Sequence, residues 1–522
     1  MTDRKRIIIV GAGHNGLVCA AYLAKAGQEV LVLEAAARVG GAAITREFAP
    51  GFQVSAGAHL SYLLDERISR ELKLAAHGLR WAHRNLRTVA LAGADEHLVL
   101  NGAELEGGSL PHEDREALAG YHRQMHRFAR VLGRQHNRRP PRLAAGGSAE
   151  AIAAAKLAFD IRRLGRTAMR EFLRIAGINI YDVLEESFET PLLKGALALD
   201  AVLGTNLGPR SNNSVLTLLH RLSGAATGVT GGLSLPAGGM GAVSEALANA
   251  ARAAGATLRT GACVRRITLA GDRVAGVELE SGEQLPAGVV ISNADPARTL
   301  LQLVGAQHFE TGFVHRVRHI RAKGMAAKLH LALTGLPAFA RLPAALAGER
   351  LLVAPDPGYI ERAFDSAKYG QCSADPALEI TVPSVHDRSL APDGQHVLSA
   401  IVQYAPFDPR ASSGAARAEL LDRTLQVLER YAPGVRSQIL AAELLLPADI
   451  EREFRISGGH WHHGELALDQ FLMLRPVPGA AQYAMPLNGL YLCGAGCHPG
   501  GGVMGSAGRN SAQAVLGAER AT

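Results

Sequence analysis

An α/β architecture, with one parallel-sheet domain assembled from separated stretches of chain and an α+β domain inserted between them, is predicted by three features of the sequence. The chain opens on an apolar run, a glycine-rich turn, an apolar-periodic helix and a second apolar run that closes on an acid. A glycine turn, helix and strand recur after Pro236, and a last strand enters a Gly/Pro loop and helix near the far end. At 522 residues and 55.0 kDa the chain exceeds one ordinary domain, so two intertwined lobes are expected.

Apolar residues make up 48% and charged residues 20%, a globular composition that excludes a disordered chain. Glycine, 58 of 522 or about 11%, exceeds the usual ~7% and is clustered, which points to backbone-lined sites. Five cysteines form no disulfide framework, and their odd number fits a reducing compartment. No apolar run approaches the roughly eighteen residues of a membrane-crossing helix. The first apolar run leads straight into a glycine turn, unlike a secretory signal, so a cytoplasmic location is expected.

The first element, Ile7-Ile8-Ile9-Val10, reads as a short strand buried on both faces. Gly11-Ala12-Gly13-His14-Asn15-Gly16 follows, then a helix from Leu17 that Gly27 ends, then Val30-Leu31-Val32-Leu33 closing on Glu34. This is strand–GxGxxG–helix–strand–acid. Gly11 permits the tight turn, Gly13 lets backbone approach a pyrophosphate, and Gly16 lets helix and strand pack closely. The helix start offers free N–H groups and a positive dipole end to phosphates. Glu34 is placed to accept hydrogen bonds from ribose hydroxyls. A bound dinucleotide is expected.

Arg38-Val39-Gly40-Gly41-Ala42 comes directly after the acid. Here the chain resembles the glutathione-reductase-like flavoproteins, in the branch of flavin amine oxidases and carotenoid desaturases. Their R-x-G-G segment runs beside the FAD pyrophosphate. The resemblance implies a Rossmann-like FAD-binding domain, with FAD held at Gly11, Gly13, Gly16, Glu34, Arg38, Gly40, Gly41 and Ala42. The expected domain comprises residues 1–75, 236–300 and 485–522, and the substrate domain residues 76–235 and 301–484.

The remaining flavin elements follow in order. After Gly238-Gly239-Met240-Gly241 come a helix, a strand over 257–260 and the hairpin 264–269/273–279 with Gly271-Asp272 as its turn. The resemblance implies that Val264 touches adenine through its backbone. No second strand–GxGxxG–helix occurs, so a nicotinamide domain and NAD(P)H exchange are not favoured. No cysteine pair follows the first nucleotide unit, which excludes redox-disulfide chemistry. Cys493 and Cys497 read as small packing residues.

The C-terminal segment 489–505 contains His498-Pro499-Gly500-Gly501-Gly502-Val503-Met504-Gly505 and resembles the H-P-G-x-G-x-x-G stretch of bacterial carotenoid desaturases. The resemblance implies that Gly494, Gly501, Gly502, Val503 and Met504 cradle the ribityl chain and pyrimidine edge. Ala495 stands where many of these flavoproteins carry an acid. With Gly458-Gly459-His460-Trp461-His462-His463-Gly464-Glu465, Asp469-Gln470 and Arg475-Pro476-Val477-Pro478, the chain is similar to the phytoene-dehydrogenase-related FAD oxidoreductases, the group of pyridine nucleotide-disulphide oxidoreductase domain-containing protein 2.

Lys328 lies in the alternating run Ala327-Lys328-Leu329-His330-Leu331-Ala332-Leu333, which puts Lys328 and His330 on one side of a sheet. Flavin amine oxidases have a similar strand whose lysine holds a water at flavin N5. A buried Lys328 of depressed pKa is the catalytic candidate, and a solvent-facing edge lysine is the alternative. His460 and His463 are three apart and can share one face of a turn, as general base or substrate anchor or as a purely structural pair. No metal is expected. Glu465 and Asp469 read as surface or loop-bracing acids.

The formal charge of +7 is concentrated: residues 117–142 carry seven arginines and no acid, and 117–174 sum to +10. No recognition motif accompanies the charge, so nucleic-acid binding is not expected. Leu157, Ile161, Leu164, Ala168, Phe172 and Ile175 recur at helical spacing beside a ridge of Arg162, Arg166, Arg170 and Arg174. This predicts one amphipathic helix, packed on the core or docked peripherally on an anionic membrane.

The expected reaction is two-electron dehydrogenation of a small molecule with hydride transfer to flavin N5, the electrons leaving to dioxygen, a quinone or a protein carrier. Carbon–carbon desaturation of a polyene-like compound and C–N oxidation of an amine both stay open. A non-catalytic scaffold or chaperone is the alternative from another class.

Overall fold

A computed structural model of the chain describes residues 6–93, 96–142, 147–407 and 414–519. Five strands form a wholly parallel sheet in the order Thr257–Arg259, Val30–Leu33, Ile7–Val10, Val289–Ser292, Leu490–Leu492. Ile7–Val10 is central, with Ile7 opposite both Val30 and Val289. Its unbroken apolar run suits a strand covered on both faces. Ile7 and Ile9 pack toward the helices His14–Lys25 and Gly241–Ala253, while Ile8 and Val10 pack under the antiparallel strands Val264–Ala270 and Arg273–Leu279.

The second sheet has eight strands, ordered Ile439–Leu445, Ala326–Leu333, His396–Gln403, Leu378–Thr381, Arg350–Val353, Thr88–Ala90, Leu98–Asn101, Glu104–Gly107. Neighbours are antiparallel except Arg350–Val353 with Thr88–Ala90. Strands from two regions far apart in sequence therefore complete one sheet. Ala327, Leu329, Leu331 and Leu333 enter the apolar core beneath helix Gly414–Tyr431, which turns Lys328 and His330 to the opposite face. That face looks toward the parallel-sheet domain.

The helix expected to run through 157–175 is two helices, Ser148–Arg162 and Arg166–Ile175. Gly165 has φ 79°, a left-handed conformation that cannot continue a helix. Ile161, Leu164, Ala168, Phe172 and Ile175 still pack on the core formed with helix His112–Gly133. Among the described residues no helix is long and apolar enough to cross a membrane.

Candidate active site

The nucleotide floor is built from backbone. The Gly11 N–H donates to the Leu33 carbonyl at 2.8 Å, at φ 95°. A Cβ on Gly13 would lie 2.6 Å from Asn293 Nδ2, and one on Gly16 would lie 2.3 Å from the Gly11 carbonyl oxygen. Glu34 ends its strand and accepts from the Ala12 N–H at 2.7 Å and the Ala36 N–H at 2.9 Å. Its carboxylate thus stands beside the first glycine turn. Gly16→Ala is expected to push helix from strand and leave about a tenth of the bound flavin or less, read as visible absorbance per protein. Wild-type flavin content would show that the close packing is dispensable.

A single cleft runs from this floor to the second sheet. Gly11, Gly13, Glu34, Gly40, Gly41, Ala42 and Val264 line one end, and Gly502, Val503, His463 and Lys328 line the rest. Gly16 lies outside the wall, as its packing role requires. Arg38 is exposed, and its guanidinium donates to the Thr45 carbonyl at 3.0 Å, away from the cleft. Gly494, Gly501 and Met504 also lie behind the wall. Gly494 packs on the Asn293 carbonyl, the Gly501 carbonyl accepts from His220 Nε2 at 2.9 Å, and the Met504 carbonyl accepts from the Asp65 N–H at 3.1 Å. They shape the loop that presents Gly502 and Val503.

The floor fits FAD. It offers a helix N-terminus, a carboxylate beside the first glycine turn and glycines packed so closely on Asn293, the Gly11 carbonyl and Ile44 that side chains would force the turn open. The buried Nε2 of His14 and Nδ1 of His463 have no protein partner, as groups awaiting a polar ligand would. The second glycine turn is not a matching site: the Gly241 N–H donates to Thr45 Oγ1 at 2.9 Å and the Met240 N–H to Ser55 Oγ at 3.0 Å. Cys493 and Cys497 are free and buried in the apolar cores.

At the other end, Lys328 is buried and its Nζ lies 2.5 Å from His59 Nδ1. His59 Nε2 lies 2.9 Å from Glu379 Oε1. With Nε2 protonated, His59 donates to the carboxylate and accepts from the lysine. Glu379 Oε2 accepts from Arg350 Nε at 2.5 Å and has Arg221 at 3.6 Å, and both arginines also hold Asp200. Burial lowers the Lys328 pKa to about 7, with Glu379 opposing. Burial and then the Lys328 charge bring His59 to about 4. Burial would raise the Glu379 carboxyl, but Arg350, His59 and Arg221 hold it well below the usual range. Lys328, His59, Glu379, Asp200, Arg221 and Tyr62 all line the cleft.

Sequence reasoning missed every member of this network except Lys328. One signal was available: Glu379 is a lone acid in the apolar strand Leu378–Thr381, and Arg350 opens another such strand. Charges on such strands need buried partners. His330, on the same side as Lys328, turns to Ser399 Oγ at 2.8 Å and lies outside the cleft.

The histidine loop is arranged differently from the expected pair. His460 points away from the cleft to Glu465 at 3.2 Å, while His462 and His463 line it. The His463 N–H closes a turn on the His460 carbonyl at 2.7 Å, but at φ 54° the His463 side chain leaves the face that a helical turn would share. Burial lowers His463 to about 4. Glu465 is buried, also accepting from the Asn206 N–H at 3.0 Å, whereas Asp469 pairs at the surface with Arg321. Arg475 fixes this loop by donating to the carbonyls of His462, Gly464, Glu465, Gln470 and Ala495. The ring of Trp461 lies against Gly204, where a Cβ would come within 1.6 Å of it.

His59, His220 and His498 are all buried and held near pKa 4, chiefly by burial. Unfolded histidine titrates near 6.5, so between about 6.5 and 4 the unfolded chain binds more protons. Stability is therefore expected to rise with pH across this window and to fall on acidification from about 6.5 to 4. Thermal scans check it: a Tm flat over that range would show that these rings titrate in the fold as they do in the unfolded chain.

Fold and cleft together define an FAD-dependent oxidoreductase. Residues 16–516 match the family of flavin containing amine oxidoreductases, and the chain belongs to that family, with FAD as its cofactor. Pyridine nucleotide-disulfide oxidoreductase domain-containing protein 2 of Rattus norvegicus is 34% identical over 538 aligned residues, covering 98% of this chain and 93% of the relative. The phytoene desaturase (lycopene-forming) of Pseudescherichia vulneris is 30% identical over 346 residues, 65% of each chain. Among solved structures, cyclohexylamine oxidase from Brevibacterium oxydans shares the fold at TM-score 0.60 and 16% identity, with 99% of both chains covered.

Proposed function

We propose that the protein removes two electrons from a polar small molecule by oxidising a C–N bond. The observation that carries this reading is the wall opposite the nucleotide floor: Lys328, His59, Glu379, Asp200 and Arg221 all reach the cleft. Such a wall offers charged, hydrogen-bonding groups to the nitrogen and polar substituents of an amine-type substrate, and a polyene would make no use of them. FAD, when bound, supplies the two-electron acceptor.

The protein's own groups manage the proton. Near neutral pH Lys328 is poised between charged and neutral forms, and the neutral Nζ can take a proton from a substrate N–H or hold a water. The resulting ammonium is stabilised by Glu379 through His59, which keeps its own proton on Nε2. Arg350 and Arg221 fix Glu379 so that the charge does not wander. Arg475, by tying the 462–465 loop to Ala495, holds His462 and His463 at the rim.

A second reading, carbon–carbon desaturation, is favoured by the similarity to the phytoene desaturase. Anaerobic mixing of the flavin-loaded protein with panels of amines and polyenes separates the two. Bleaching of the flavin absorbance by amines alone is the expected result, and bleaching by polyenes alone would replace the C–N reading. A colourless protein that takes up no FAD would instead indicate a scaffold. Reoxidation with dioxygen, a quinone or a protein carrier then identifies the electron acceptor by rate.

A further inference from the structure

The two helices on either side of Gly165 carry a surface that the cleft does not use. Seven large apolar side chains are exposed among the described residues, and three of them are here: Ile152 at 54%, Phe159 at 58% and Leu173 at 61%. Ile152, Lys156, Phe159 and Arg163 are spaced i, i+4, i+7 and i+11, one face of helix Ser148–Arg162. Arg166, Arg170 and Leu173 repeat the pattern at i, i+4 and i+7 on helix Arg166–Ile175.

The opposite side of this unit is anchored. Asp160 is buried and binds Arg134 and Arg138 of the neighbouring segment, and Leu164, Phe172 and Ile175 enter the core. The outward face is therefore held rigidly, and its composition is not that of a solvated surface. Lys156, Arg162, Arg163, Arg166 and Arg170 are exposed, and among the described residues no acid lies within ion-pair distance of them.

We propose that this face is a docking surface for an anionic lipid bilayer. Charge complementarity names the partner's sign, and the dispersal of the apolar groups names its kind. Phe159, Ile152 and Leu173 protrude singly among bases along two helices. A bilayer interface accepts such side chains into its acyl boundary while lysine and arginine stems reach up to the headgroups. An acidic protein would meet the bases but leave protruding apolar side chains between them without a matching concavity.

The flavin-loaded protein is tested by co-sedimentation with phosphatidylcholine vesicles that contain or lack about 30 mol% phosphatidylserine. Binding is expected to the anionic vesicles, roughly tenfold or more weaker to the neutral ones, and reduced in about 0.5 M NaCl. The double variant Ile152→Ser, Phe159→Ser is expected to lose roughly tenfold in vesicle affinity while still binding soluble polyglutamate like the wild type. Arg162→Gln with Arg166→Gln is expected to weaken both. Both pairs are exposed, and an unchanged flavin spectrum verifies their fold. Absence of binding to anionic vesicles overturns the proposal. So does undiminished vesicle binding by the Ile152→Ser, Phe159→Ser protein, which would make the face a site for acidic proteins.

Discussion

Replacing Lys328 with methionine is expected to lower kcat/KM by roughly 10²–10⁴-fold, the range that a positioned proton acceptor supplies. The bound flavin should remain, because Lys328 touches His59 and the sheet and forms no part of the nucleotide floor. The pH dependence is the sharper signature. Wild-type kcat/KM should rise with pH through about 7, where Nζ loses its proton, and the variant should lack that limb. Stability carries the same mark with a definite sign. The folded pKa lies below the unfolded one, so between about 7 and 10.5 the unfolded chain binds more protons and stability rises with pH. This term should be absent from the variant, so it appears as the pH-dependent part of the stability difference between wild type and variant. A variant with wild-type kcat/KM and an intact pH limb would remove Lys328 from the chemistry.

Arg350→Met is expected to reduce stability by about 3–5 kcal/mol, the cost of leaving a buried charge without its partner. The Arg350 side chain is wholly buried and holds two carboxylates, Glu379 and Asp200. Its loss leaves Arg221 alone between them, so the Glu379 carboxyl should move up from its depressed pKa and its hold on His59 should weaken. Thermal and denaturant unfolding of the flavin-loaded protein measures the loss. The double variant Arg350→Met, Glu379→Met should recover part of it, since an apolar pair replaces an uncompensated charge. A single variant within about 1 kcal/mol of wild type would mean that water, not Arg350, balances these carboxylates.

The nucleotide half was legible because its signals are local. The strand, turn, helix and acid of 7–34 are contiguous, and the demands on Gly11 and Gly16 are set within a few residues, whereas the crowding at Gly13 comes from the distant Asn293. In the other half, the common side of Lys328 and His330 was legible as well, because it follows from the two-residue period of a strand. Arg38 shows the limit. Its motif places the backbone near the floor, but the exposed side chain turns to the Thr45 carbonyl, which no motif spacing specifies. Likewise, spacing alone paired His460 with His463, whereas the left-handed backbone at His463 separates them.

What the sequence determined by itself is therefore the cofactor class, the strand that carries Lys328 and the loop that ends in Gly502 and Val503. Only the tertiary structure decided which groups tune the lysine. His59 is 269 residues away in sequence and Glu379 lies two strands across the sheet from Lys328, the three brought together where the second sheet closes over the parallel one. The physical reason is burial. A carboxylate, an imidazole and an amine acquire their working protonation states from the low-dielectric interior they share, and that interior exists only once both lobes have packed.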